Sequence, residues 1–151
     1  MGRTLKVAVL IIILISIGIQ FYRPDKSEFI AITLDDFLLY EGAPKNVKAL
    51  INNSCYDCHS NQTNYVWFDH IAPMSWTVDK HINDAKRELN LSEWATMDYR
   101  DKRKALSLIA TNITEDKMPL ESYVNLHWDS KLSQTDKKEI LKWLFTIEIK
   151  N

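Results

Sequence analysis

Apolar residues are spread very unevenly along this chain. Arg3 and Lys6 are followed by an uncharged, strongly apolar run from Val7 to Tyr22, and the next charge is Arg23. As a helix that run would extend roughly 24 Å, a little short of the ~30 Å hydrocarbon core of a bilayer. Leu5, and snorkelling of Lys6 and Arg23, close the gap. Residues 1–23 therefore read as an uncleaved membrane anchor. The other readings are a cleaved signal peptide, with a poor cleavage site at Ser16-Ile17-Gly18, and a buried core helix. No cysteine follows the run, which excludes a lipoprotein anchor. Arg3, Lys6 and the amino terminus favour a cytoplasmic start. The expectation is a single-pass inner-membrane protein facing the periplasm, or a soluble periplasmic one if the segment is cleaved. Either way the rest of the chain meets an oxidising compartment.

Beyond the run the pattern changes to helical spacing. Residues 24–33 are mixed and polar and read as a tether, with a domain over 34–151. Pro44 can open a helix in which Val47, Leu50 and Ile51 share a face. That helix is expected to end just before or within the cysteine motif at residues 55–59. Residues 61–74 read as loop. From Trp76, the residues Val78, Ile82, Ala85 and Leu89 recur at helical spacing. Ser92 offers an N-cap before a second stripe of Tyr99, Leu106, Ile109 and Ile113, with the lysines and arginines facing water. Residues 114–132 form another loop, broken at Pro119. Ser133, with Asp136 three residues on, is a capping-box arrangement ahead of Ile140, Leu141, Leu144 and Phe145. No segment alternates as a strand. The expected fold is all-α, a small cytochrome c-like helical domain behind an N-terminal transmembrane helix.

Composition narrows the function. At 151 residues there is room for one domain and a short appendage. Net charge is −1, so nucleic acid is not an expected partner. The chain has no paired-carboxylate, Ser-His-Asp or phosphate-loop constellation, and no enzymatic activity is expected from it.

Its only two cysteines, Cys55 and Cys58, are followed at once by His59. C-x-x-C-H is the pattern for two thioether bonds to haem with the adjacent histidine as axial ligand. Three alternatives compete. Structural zinc needs four ligands, and with no second cysteine pair two of His70, His81 and His127 would have to serve. A thioredoxin-like redox pair expects a βαβ context that this chain lacks. A disulfide across two residues closes too short a loop to stabilise much.

A six-coordinate haem needs a second strong ligand. Met118, in a loop and followed by Pro119, is the first candidate, and its thioether would favour reduced iron. The bland reading is a gap-filling core methionine. His81 and His127 are the alternatives, and His70 lies near enough to the motif to approach a haem edge. Tyr65, Trp67, Phe68, Trp76 and Trp94 would either wall the haem or form an ordinary core.

The strings CYDCHSNQTNYVWFDHIAPMSWTVDKHI, LNLSEW, KMPLESYVNLHWDSKLS and LKWL together resemble the bacterial haem-binding domain family. Its members are exported, single-haem, cytochrome c-like proteins, and the resemblance spans about residues 34–147. It implies one covalent haem c on Cys55 and Cys58, with His59 as proximal ligand. The methionine of the family's M-P pair falls on Met118, the candidate distal ligand. Val66 and Trp128 stand where the family usually has proline, which bears on loop rigidity and not on the attachment chemistry. The expected function is electron transfer through a His/Met-ligated haem, with exposed lysines near 100–104 and 137–138 guiding redox partner proteins, though a charge run is usually just a solvated face. The rival is a haem-based sensor or peroxidase-like protein with an open or displaceable sixth position.

Overall fold

The computed structural model of the protein describes residues 2–24, 26 and 30–147. Among these residues there is no strand, and the fold is all-α. The helices are α1 (Arg3–Gly18), α2 (Phe37–Tyr40), α3 (Lys45–Ile51), α4 (Asp57–His59), α5 (Met74–Glu88), α6 (Tyr99–Thr114), α7 (Glu121–Val124) and α8 (Gln134–Leu144). A π-helical segment, Asn52–Tyr56, joins α3 to α4, so one helical path runs from Lys45 to His59. Shorter 3₁₀ turns occur at Ile19–Phe21, Trp67–His70, Leu91–Thr96 and Trp128–Ser130.

The apolar run forms α1 and its 3₁₀ extension. None of its residues is buried, and Arg3–Phe21 is long and apolar enough to cross a bilayer. The end of this segment is bonded to the rest of the protein. Gln20 Nε2 donates to the Ala72 carbonyl (3.0 Å), and the Ala72 N–H donates to Gln20 Oε1 (3.0 Å). Trp76 Nε1 donates to the Tyr22 carbonyl (2.8 Å). Of the expected tether, residues 25 and 27–29 lie outside the described residues. Its described parts also pack back: Lys26 Nζ sits 4.2 Å over the Tyr65 ring, and the Ile30 N–H donates to Asn61 (2.9 Å).

The core gathers α2, α3, α6, α8 and the Leu91–Thr96 turn around three aromatic rings. Phe37 lies 4.5 Å from Trp94 and 5.1 Å from Trp143, centroid to centroid. Val47, Ile51, Leu91, Ala105, Ile113, Ile140 and Leu144 fill the space around them. The apolar spacing thus does what amphipathic spacing should, turning one stripe of each helix inward.

Three sequence expectations need correction. Ser92 is not the N-cap of the second striped helix. Its Oγ accepts from the Asn61 N–H (3.0 Å), while Asn90 caps the Leu91–Thr96 turn and Asp98 caps α6. The basic residues do not all face water: Lys102 is buried with its ammonium 4.4 Å over the Tyr40 ring, and buried Lys137 pairs with Asp116. Phe145 is 83% exposed because α8 ends at Leu144, and Trp143 fills the core instead. The helix that Pro44 opens gives way to the π-helical segment at Asn52, just before the cysteines, and the helical path ends within the motif at His59, as expected. The capping box at Ser133 and Asp136 is formed in both directions.

Candidate functional site

Cys55, Cys58 and His59 share the last two turns of the Lys45–His59 path. The π-helical segment decides which way they face. In a regular α-helix, residues at i+4 stack, so the core stripe begun by Val47 and Ile51 would continue through Cys55 and His59. A π turn widens this to i+5. The buried stripe instead runs Val47, Ile51, Tyr56, Ser60, none more than 3% exposed. Cys58 and His59 are thereby turned off the core stripe, Cys55 packs against the edge of the core, and all three remain half-buried. The cysteines are three residues apart, on one helical face, and both thiols are free.

Burial pushes the Cys55 thiol up to about 12, with the neighbouring Cys58 adding to the effect. Cys58 is pushed up to about 11 by burial, then by Asp57 and Asp69. Both are protonated at neutral pH, the reverse of the lowered values that make a dithiol a redox catalyst.

His59 Nδ1 lies 3.1 Å from the Leu89 carbonyl at the end of α5. A carbonyl only accepts, so Nδ1 carries the proton and Nε2 keeps a free lone pair. Burial holds the imidazole below its ordinary value, opposed by the Leu89 and Ala85 carbonyls, and this favours the neutral ring that ligates metals. A ring held in this tautomer by a backbone carbonyl, one residue from a pair of thiols, is a donor set that fits covalently attached haem.

The surrounding loops fix this turn. Ser60 Oγ donates to the Tyr56 carbonyl (2.7 Å) and accepts from the Gln62 N–H (3.0 Å). Thr63 Oγ1 donates to the Asp57 carbonyl (2.8 Å), and the Asn64 N–H donates to Asp57 Oδ1 (2.9 Å). Asn90 Nδ2 donates to Asn61 Oδ1 (3.2 Å). Leu89, Asn90 and Ser92 are therefore functional neighbours of the motif that reasoning from helical spacing missed. The LNLSEW string was the signal that held them.

Met118 follows α6 and the left-handed turn at Asp116 (φ 57°). It is half-buried, with its N–H on the Asn112 carbonyl (3.2 Å). Its segment is tied to the motif five residues on, where Tyr123 OH donates to Asp57 Oδ2 (2.6 Å). Farther along, Ser54 Oγ donates to the Ser130 carbonyl (2.8 Å). His127 stacks on Tyr123 at 4.2 Å and lines a polar cleft of about 280 Å³ with Asn52, Tyr56, Asp57 and Asp129. His81 is exposed on α5, and His70 is exposed beside Tyr65. Among the described residues no group of three or more His, Cys, Asp or Glu is arranged to hold a metal ion, which leaves structural zinc without a ligand set. The tryptophans are not gathered at the motif: Trp94 is in the core, Trp76 is engaged by Tyr22, and Trp67 is 74% exposed, whereas Phe68 meets the His127 ring edge-on at 5.9 Å.

The sequence profile of the haem-binding domain family matches residues 14–146, most of the chain, and the protein belongs to that family. No curated protein and no solved structure matches the chain.

Proposed function

We propose that this haem-binding protein is a membrane-tethered, periplasmic, mono-haem electron carrier. Haem c is bonded through Cys55 and Cys58, with His59 as proximal and Met118 as distal ligand. The observation that carries the reading is the pair of free thiols on one helical face beside a histidine whose Nδ1–H is committed to the Leu89 carbonyl. When bound, haem supplies a one-electron iron couple. The chain's own residues hold its ligands in place: the Leu89 carbonyl fixes the His59 ring, and the Tyr123–Asp57 bond draws the Met118 segment toward the motif. Arg100, Arg103, Lys104 and Lys138 stay at the surface and supply positive charge to guide weak docking of redox partners. The membrane tether is the α1 segment, with its basic residues on the cytoplasmic side.

The test is an optical spectrum of the full chain, oxidised and reduced, produced with cytochrome c maturation machinery and compared with Met118→Ala. The expected result is a covalent c-type spectrum, retained through acid-acetone extraction, with a weak methionine-to-iron band that the substitution abolishes. A covalent spectrum unchanged by Met118→Ala moves the distal ligand to His81 or His127. Rapid carbon monoxide binding by the unsubstituted ferrous protein favours a sensor or peroxidase-like role instead. A colourless protein, despite working maturation, overturns the haem assignment.

A further inference from the structure

The apolar segment does not simply lead into the domain; its end is bonded to a particular loop. Gln20, in the 3₁₀ turn that closes the segment, makes a two-way amide bond with the Ala72 backbone. Two residues on, the Tyr22 carbonyl accepts from Trp76 Nε1, and the two rings meet edge-on at 5.8 Å. These bonds set the Trp67–Trp76 stretch at the level where α1 ends.

Most of the exposed side chains of that stretch are apolar, His70 being the exception. Trp67 is 74% exposed, Ile71 45% and Met74 39%, and Phe21 and Tyr22 at the end of the segment are also open. Consecutive Cα atoms are about 3.8 Å apart, so Ile71 adjoins the Gln20-bonded residue and Met74 is two steps away. The headgroup layer of a bilayer is about 5–8 Å thick on each side. It is the layer in which tryptophan and tyrosine rings settle, apolar body inward and polar tip outward. A soluble surface gains nothing by exposing Trp67, Ile71 and Met74 within one short stretch of chain, whereas a surface held at a lipid headgroup layer does.

We infer that the domain docks on the phospholipid surface through Trp67, Ile71 and Met74, with Phe21 and Tyr22 completing the patch. It is seated on the bilayer in one orientation rather than swinging on a loose tether. The inference rests on the reading of α1 as a membrane span. Gln20 is the positioning residue: its two bonds to Ala72 hold the patch at the depth where the span ends.

The experiment uses the haem-loaded full chain in liposomes of phosphatidylethanolamine and phosphatidylglycerol. Two photoreactive phospholipids are compared, one with its diazirine deep in the acyl chain and one with it beside the headgroup. Adducts are mapped by peptide mass spectrometry. Docking predicts headgroup-probe adducts on peptides covering residues 65–76 several-fold above those on residues 134–144 of α8. The triple variant Trp67→Ser, Ile71→Ser, Met74→Ser should bring them to the α8 level. Gln20→Leu, which leaves the span apolar but breaks both bonds to Ala72, should lower them without changing acyl-probe labelling of α1. Acyl-probe adducts on α1 with none above the α8 level on 65–76 overturns the docking while leaving the span intact. So does cross-linking of the patch to a second copy or another protein instead of lipid. No acyl-probe adducts on α1 removes the span itself.

Discussion

Between Lys45 and Ile51 the motif-bearing helix is held by apolar packing, whereas between Ser54 and Ser60 it is held by hydrogen bonds. Val47 and Ile51 sit in the same cluster as Phe37, Trp94 and Ile140. From the π-helical segment onward, where only Cys55 and the Tyr56 ring still touch the core, the contacts are mostly hydrogen bonds: Ser54 to Ser130, Tyr56 to Asp36, Asp57 to Asn64 and Tyr123, His59 to Leu89. Apolar burial is non-directional. It fixes where a helix lies but tolerates small rotations about its axis. Hydrogen bonds depend steeply on angle, so they suit the half in which two sulfurs and a ring nitrogen must keep their bearing. The first half therefore carries stability and the second carries orientation.

Removing the centre of the packed half should have the largest effect. Trp94 is 0% exposed, packs at a tilt against Phe37 and donates through Nε1 to Glu41 (2.6 Å). Trp94→Ala should cost about 3–5 kcal/mol by loss of a large buried ring and the cavity left behind. Urea unfolding of the haem-loaded protein measures it. A loss below about 1 kcal/mol, the scale of a single hydrogen bond, would mean the aromatic cluster does not hold the fold.

Tyr56 stands where the two halves meet. Its ring belongs to the core, and its hydroxyl donates to Asp36 Oδ1 (2.7 Å). Asp36 is itself 1% exposed; the same Oδ1 accepts the Leu38 N–H, and its Oδ2 is buried without a hydrogen-bond partner. Tyr56→Phe keeps the packing and deletes only the bond, leaving a buried carboxylate with a single donor. The expected loss is about 1–3 kcal/mol, again by urea unfolding, with the optical spectrum of the folded protein unchanged. An effect as large as that of Trp94→Ala would erase the distinction between the halves. An effect near zero would mean the hydroxyl only fills space.

The two halves also differ in how far they could be read from the sequence. Val47, Leu50 and Ile51 announce themselves by spacing, as do the stripes of α5, α6 and α8, because a half-buried helix must repeat its apolar residues every three or four positions. The cysteines and His59 are legible by chemistry, since so few roles need that triplet. What spacing could not reveal is the π turn, which shifts the stripe from i+4 to i+5 and puts Tyr56 and Ser60 on it in place of Cys55 and His59. It depends on the competing pulls of Tyr56 toward Asp36 and Ser54 toward Ser130, partners far away in the chain. The Leu89 carbonyl is similarly silent, because a backbone acceptor leaves no mark in composition. Lys102 and Lys137 mislead for the opposite reason: a long apolar stem lets a lysine enter a core if an aromatic face or a carboxylate receives its charge.

The polar half can be probed without touching the core at all. Tyr123 OH bonds Asp57 Oδ2 across 66 residues of chain and is the tie between the motif and the segment that carries Met118. Burial and the Asp57 hydrogen bond both raise the energy of ionising this phenol, so it remains a donor throughout the range where the protein is folded. Tyr123→Phe should cost only about 0.5–1.5 kcal/mol in urea. The informative readout is local. Limited proteolysis should quicken within residues 118–130 while cleavage in α6 and α8 stays slow, the mark of a local opening and not of global unfolding. Trp94→Ala, by contrast, should quicken cleavage everywhere. Under the proposed His59/Met118 ligation the same Tyr123→Phe variant weakens the methionine-to-iron band without moving the bands of the attached haem. Uniformly faster proteolysis would mean that Tyr123 supports the whole fold, and that orientation and stability are not divided between the two halves of the helix.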